Sequence, residues 1–166
     1  MRNFSYDLFF KQIKFQMENN QLVIKRIFKA PIELLFNAWI DPLLMEKWFS
    51  PETMTTPNVE VDLRTGGKYS ITMAYENKTT TTVRGIYKEI TAPTKLVFTW
   101  KWDDNDLETE VTVLLRSISE SKTELVLIQT GFGEEITLED KNKTYSQSDH
   151  NNGWSTAFNK LDRLFS

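Results

Sequence analysis

Two rhythms of apolar and polar positions divide the chain. Between Asn58 and Gln129 the apolar residues recur every second position, while around Ile32–Trp48 and Trp154–Phe165 they recur at helical spacing. Ahead of both, Leu22 to Phe28 is rich in β-branched and aromatic residues and predicts a strand that ends at Ala30-Pro31. Pro31 then suits the first position of a helix. Glu33 sits in its positively polarised first turn, and Ile32, Leu35, Phe36 and Trp39 share one face. Asp41-Pro42 repeats the start signal for a second short helix carrying Leu44, Met45 and Trp48, closed by Pro51.

The period-two region reads as an antiparallel meander. Val59, Val61 and Leu63 alternate with charged neighbours, and after Gly66-Gly67 the series resumes with Tyr69, Ile71, Met73 and Tyr75. Val83, Gly85 and Tyr87 follow, then a turn at Thr91–Thr94, then Leu96, Phe98, Trp100 and Trp102, and then Val111, Val113 and Leu115. Leu125 and Leu127 end the meander in a strand that Val126 and Ile128 make apolar on both faces. Residues 131–143 are polar and aperiodic, which predicts a mobile loop at the rim. Two capping boxes, Thr144…Gln147 and Ser146…Asp149, precede Trp154, Phe158, Leu161 and Phe165 on a long amphipathic helix. Gly153 inside that helix costs roughly 1 kcal/mol against alanine, which predicts a close approach to the sheet.

This element order is α+β: a curved antiparallel sheet of about six to seven strands must cover the long C-terminal helix, with the two short helices plugging one end. Residues 21–166 form the domain. Residues 1–20 read as an N-terminal extension, with Met17 an alternative start because regular patterning begins only at Gln21. At 166 residues and 40% apolar content the chain supports one sizeable core. A formal charge of −3 gives no basic excess for nucleic acid, and no stretch of ~20 apolar residues predicts a membrane span. The lack of cysteine removes disulfides and thiol chemistry and suits a cytoplasmic address.

The inward set is bulky. Tyr69, Met73, Tyr75, Tyr87 and Phe98 join Trp100 and Trp102 from the sheet, with Trp48, Trp154 and Phe158 from helices. Aromatics on one strand face are core material first. Such walls also favour a cavity between sheet and helix that takes an apolar or aromatic ligand, oriented by tyrosine hydroxyls and indole N–H groups. Phe36 and Trp39, at helical spacing just after the first strand, read as plain core.

Arg26-Ile-Phe-Lys-Ala-Pro31, Ala38-Trp39, Asp41-Pro42, Trp48-Phe49, Gly66-Gly67, Gly85–Ile90, Leu96–Trp100 and Gly153-Trp154 occur in an order that resembles the START-like (SRPBCC) superfamily. The closer resemblance is to the branch named after the C-terminal domain of the activator of the heat-shock protein 90 ATPase, over about residues 22–165. The resemblance implies the helix-grip fold and a central cavity for hydrophobic small molecules. Within the superfamily it also points to polyketide cyclases or aromatases and to stimulation of a chaperone ATPase. The chaperone activators carry a further N-terminal domain, and the 166 residues read here are not expected to include one.

Catalytic and metal chemistry have little to build on. The single histidine, His150, reads as a polar boundary residue, and with Asp149 it does not make a closed metal site. Gly66-Gly67 lacks the pattern of a phosphate loop. Glu76, Glu108, Glu110 and Glu124 read as solvated, whereas the parity of Glu89 turns it inward beside Tyr87 as a candidate base with a raised pKa. The expectation is therefore a non-catalytic carrier or sensor of a hydrophobic small molecule, with no cofactor, no metal and no catalytic residue. A cyclase/aromatase-like enzyme and a chaperone or other protein partner are the alternatives, and monomer and homodimer are both open.

Overall fold

The structure, a computed structural model, describes residues 21–132 and 147–166. The extension with Met17, the loop residues 133–143 and the capping residues Thr144 and Ser146 lie outside the described residues. The element order is β1 Leu22–Phe28, α1 Ile32–Ala38, α2 Pro42–Trp48, β2 Thr55–Val61, β3 Lys68–Ala74, β4 Thr80–Thr91, β5 Lys95–Trp102, β6 Glu108–Ser119, β7 Lys122–Thr130 and α3 Gln147–Leu164. The seven strands form one antiparallel sheet in the order β1-β7-β6-β5-β4-β3-β2. Hairpins build it from β2 to β7, and β1 closes on β7. The short helices carry the chain from one sheet edge to the other. Pro57 is accommodated because β2 is an edge strand with an irregular register between Thr55 and Asn58.

The expected capping at Asp41 is present: its carboxylate accepts from the Leu43 backbone N–H at 2.9 Å, with Pro42 in the first turn. One sheet face packs on α3. Leu96, Phe98, Val111, Val113, Leu125 and Leu127 form a continuous core with Trp154, Phe158 and Leu161. Each such buried side chain contributes about 1.5–3 kcal/mol. The α1–α2 plug adds Trp39 and Trp48, whose rings meet edge-on at 4.7 Å, and the Trp48 indole donates to the Ala38 carbonyl at 2.8 Å. Among the described residues no helix is long and apolar enough to cross a membrane.

The structure corrects several sequence expectations. Leu63 lies beyond the end of β2 and is exposed, because the chain turns at Asp62–Gly67. Glu124 is not solvated but buried, with Lys25 and Arg116 each placing a cation 3.0 Å from it. The neighbour of Gly153 is not the sheet: a Cβ there would meet Pro51 at 3.7 Å, an ordinary contact.

At Gly85 the sheet does come close. A Cβ would lie 1.9 Å from the Thr99 carbonyl oxygen and 2.5 Å from the Tyr69 ring. The missing side chain lets Tyr69 reach across β4 and donate its hydroxyl to that carbonyl at 2.6 Å, while the Ile86 N–H turns to the Thr99 hydroxyl at 2.9 Å. Gly85→Ala must push strands or tyrosine apart, and a loss of about 2–3 kcal/mol is expected from urea denaturation. An unchanged midpoint would contradict this close approach.

Candidate functional site

The sheet and α3 do not close on each other everywhere. Beside the N-terminal half of α3 they leave a cavity of about 150 Å³ whose walls come from five separate segments. The loop after α2 supplies Phe49, Pro51 and Met54, the end of β3 Met73 and Tyr75, the start of β4 Thr81, the end of β5 Trp100 and Trp102, and one face of α3 Gly153, Trp154 and Ala157. Tyr75, 48% exposed, and the exposed Asp149 place its mouth at the solvent.

Of the ten residues that the sequence pattern nominates, five line this cavity: Met73, Tyr75, Trp100, Trp102 and Trp154. The other five pack elsewhere. Trp48 and Phe158 are fully buried between the plug and α3, their rings 6.2 Å apart. Tyr69, Tyr87 and Phe98 pack on one another at 5.5–6.3 Å around a second void of only about 10 Å³, room for no more than a water. Burial raises the pKa of both tyrosines, so they stay neutral; at Tyr69 the nearby Tyr87 and Glu108 add to the effect. Phe49, Ser50, His150, Gly153 and Ala157 are lining residues outside the nominated set. The signal is present for the last three: with Trp154 they fall at i, i+3, i+4 and i+7 on one helix face.

His150 is corrected from a boundary residue to a buried one, 7% exposed, with the Phe132 ring 5.1 Å away. The Trp102 indole can only donate, so its 3.4 Å contact to His150 Nε2 assigns that nitrogen as the acceptor and the proton to Nδ1. Trp154 is held more firmly. Its Nε1–H donates to Gln129 Oε1 at 2.9 Å, Gln129 Nε2 donates to the Thr109 hydroxyl at 2.8 Å, and that hydroxyl donates to the Trp100 carbonyl at 3.3 Å. The Trp154, Gln129 and Thr109 side chains are all buried, so the chain of bonds ties α3 through β7 and β6 to β5. Below the cavity Lys160 donates to the Met54 carbonyl at 2.6 Å and to Ser50 at 2.9 Å, and burial lowers its pKa.

Glu89 is not inward. A β-bulge after Tyr87 adds Lys88 to the strand and inverts the parity, so Ile90 faces the core and Glu89 pairs with Val97 instead. Its carboxylate is half-exposed, 2.9 Å from Lys95, and the pKa is lowered: the Lys95 hydrogen bond and charge, helped by Thr91, outweigh desolvation. Among the described residues no group of three or more His, Asp or Glu side chains is placed to hold a metal.

A curled antiparallel sheet gripping a C-terminal helix is the helix-grip architecture of START-like proteins. The family model described as Activator of Hsp90 ATPase homolog 1-like protein matches residues 29–166, and the chain belongs to that family. A crystal structure from Chromobacterium violaceum is similar with a TM-score of 0.70 at 25% identity, over 88% of this chain and 96% of that one. A solution structure from Arthrobacter aurescens has a TM-score of 0.74 at 23% identity, over 89% and 87%. An HSP90 activator from Plasmodium falciparum shares the fold with a TM-score of 0.65 at 24% identity, over 88% and 96%. No curated protein matches the chain.

Both the glutamine tie and the Glu89–Lys95 pair are open to measurement. Gln129→Met strands the buried Trp154 N–H and the Thr109 hydroxyl, and is expected to cost about 1–3 kcal/mol in urea denaturation; a neutral effect would remove the network as a structural tie. The lowered folded pKa of Glu89 means that its interaction stabilises the fold above the unfolded pKa and is lost as pH falls through the folded one. Lys95→Met is therefore expected to flatten the acid side of the stability–pH curve, and parallel curves for the two proteins would contradict the assignment.

Proposed function

We propose that the chain binds an apolar small molecule in the cavity between the Trp100–Trp102 pair and Trp154. The observation that supports this reading is the cavity itself: seven large aromatic or sulfur-bearing side chains surround a space that reaches solvent at Tyr75 and Asp149. Packing faults are normally few and small, so an unfilled volume of this size walled by indoles suits a ligand. Glu89 is not in the wall; among the described residues Asp149 is the acidic group that lines it, and the lining His150 takes a hydrogen bond from Trp102. The reading is of a carrier or sensor rather than a cyclase-like enzyme.

A second reading, a protein partner in the chaperone-activator manner, draws on the family's description and on a separate groove of about 430 Å³ outside the cavity. Lys68, Arg84 and Lys101 face Glu60 and Glu108 there, a mixed-charge surface suited to a complementary protein. Stimulation of an Hsp90 ATPase by the purified chain is its measurement.

For the first reading, a one-ring apolar probe at a hundred times its dissociation constant is expected to add about 2.7 kcal/mol, raising Tm by roughly 5–10 °C. Gly153→Ala puts a methyl group into the wall beside Pro51 without a clash. It is expected to stabilise the unliganded protein by about 0.4–1 kcal/mol while weakening the probe. No probe-dependent shift in the unmodified protein would sink this function.

A further inference from the structure

Two buried apolar side chains stand apart from the core. Val97 is 7% exposed and Val126 4%, yet neither belongs to the continuous cluster between sheet and helices, which takes in every other buried apolar side chain among the described residues. Strand alternation turns both to the side of the sheet opposite Phe98, Leu125 and Leu127. On that outer side the registers place Val23, Ile128, Thr112 and Val97 in one row across β1, β7, β6 and β5, and Lys25, Val126, Leu114 and Lys95 in the next. Val23, Ile128 and Leu114 are half-buried without packing on the core. The patch has borders, because Ile27 at one end of β1 and Ile86 on β4 are exposed.

A sheet face open to water is expected to be polar, and this one is apolar and covered. The three helices do not cover it, since α1, α2 and α3 all bury their apolar residues in the core cluster. Lys25 and Arg116, beside the patch, hold interactions besides those with Glu124. Residues 1–20 lead directly into β1, one of the four strands that carry the patch. Set against an apolar counterpart, their sequence gains a pattern: Tyr6, Phe9, Phe10, Ile13 and Met17 fall at i, i+3, i+4, i+7 and i+11, and Asp7, Lys11, Lys14 and Glu18 fall outside that side. Residues 6–17 would make a helix about 18 Å long, and four strands about 4.8 Å apart span roughly 14 Å between the outer two, so one helix suffices to cross them.

We propose that residues 6–17 pack as an amphipathic helix on the outer face of β1, β7, β6 and β5, with the Tyr6–Met17 stripe against Val97, Leu114, Val126 and Ile128. The stretch that reads as an extension then belongs to the domain, and the sheet is helix-covered on both sides there. The part of the outer face left open to other molecules is the groove at Lys68, Arg84 and Lys101. The proposal is independent of the cavity and of what it binds.

The chain has no cysteine, so Gln12→Cys carries a single nitroxide label in the full chain. In methyl NMR the label is expected to broaden Leu114, Val126 and Ile128 more strongly than Leu161 behind the sheet. Absence of that broadening overturns the proposal. The same broadening between spin-labelled and isotope-labelled chains in a mixture would place the segment on a second copy and overturn the assignment to its own sheet. Phe10→Asp in the full chain is expected to lower Tm by roughly 5–10 °C, whereas Phe4→Asp, off the stripe, has little effect. Equal effects of the two substitutions overturn the helical stripe. The label measurement decides the docking even if Phe10→Asp does not fold.

Discussion

Burying the Trp154 indole requires an acceptor at one fixed place, and Gln129 provides it. Because the indole only donates, the glutamine amide has a single workable orientation, with its oxygen toward α3 and its nitrogen toward Thr109. Helix rotation by one position would break the bond, so the angular setting of α3 on the sheet is determined by a polar contact within an otherwise apolar interface. Farther along the helix, Phe158 and Leu161 are fully buried against the plug and sheet. The C-terminal half of α3 is thus held by packing together with the Lys160 bonds to Ser50 and the Met54 carbonyl, the N-terminal half by the Trp154–Gln129 bond, and the cavity lies beside the second.

That division separates the two ends of the grip. At the plug end, Trp39 meets Trp48, Phe49, Trp154 and Phe158 within 6.0 Å, leaving a void too small for any organic molecule. At the other end small residues take over on the helix face, Gly153 and Ala157, and space remains. Glycine in a helix interior lowers stability relative to alanine, and no steric clash demands it here. A position that gives up stability without a packing reason is the kind expected where volume is kept for function.

The succession of strands, the three helices and the inward set are legible because alternation and helical spacing are one-dimensional signals that burial amplifies, whereas the pairing of β1 with β7 is not. The failures all involve a third dimension. The bulge at Lys88 is invisible to a strict parity count, and it shifts Glu89 from the core to the outer face. Glu124 is charged and so reads as exposed, yet it sits in a central strand where two neighbouring strands each bring a cation over it. His150 reads as peripheral because Phe132 and Trp102, distant in sequence, are what cover it. Side-chain bulk identifies the ten candidate lining residues but not which five border the cavity, since that depends on the small residues opposite them.

The five-part construction of the cavity wall bears on how such proteins diverge. No single element supplies more than one side, and none of the lining residues belongs to the Gln129–Thr109 tie except Trp154 and, through its backbone, Trp100. Substitutions at Met54, Met73, Tyr75 or Ala157 can therefore reshape the recess one wall at a time while the grip itself persists. The similar backbones retained at about one-quarter identity fit that modularity: inheritance preserves the clasp, and drift is free to recut what it holds.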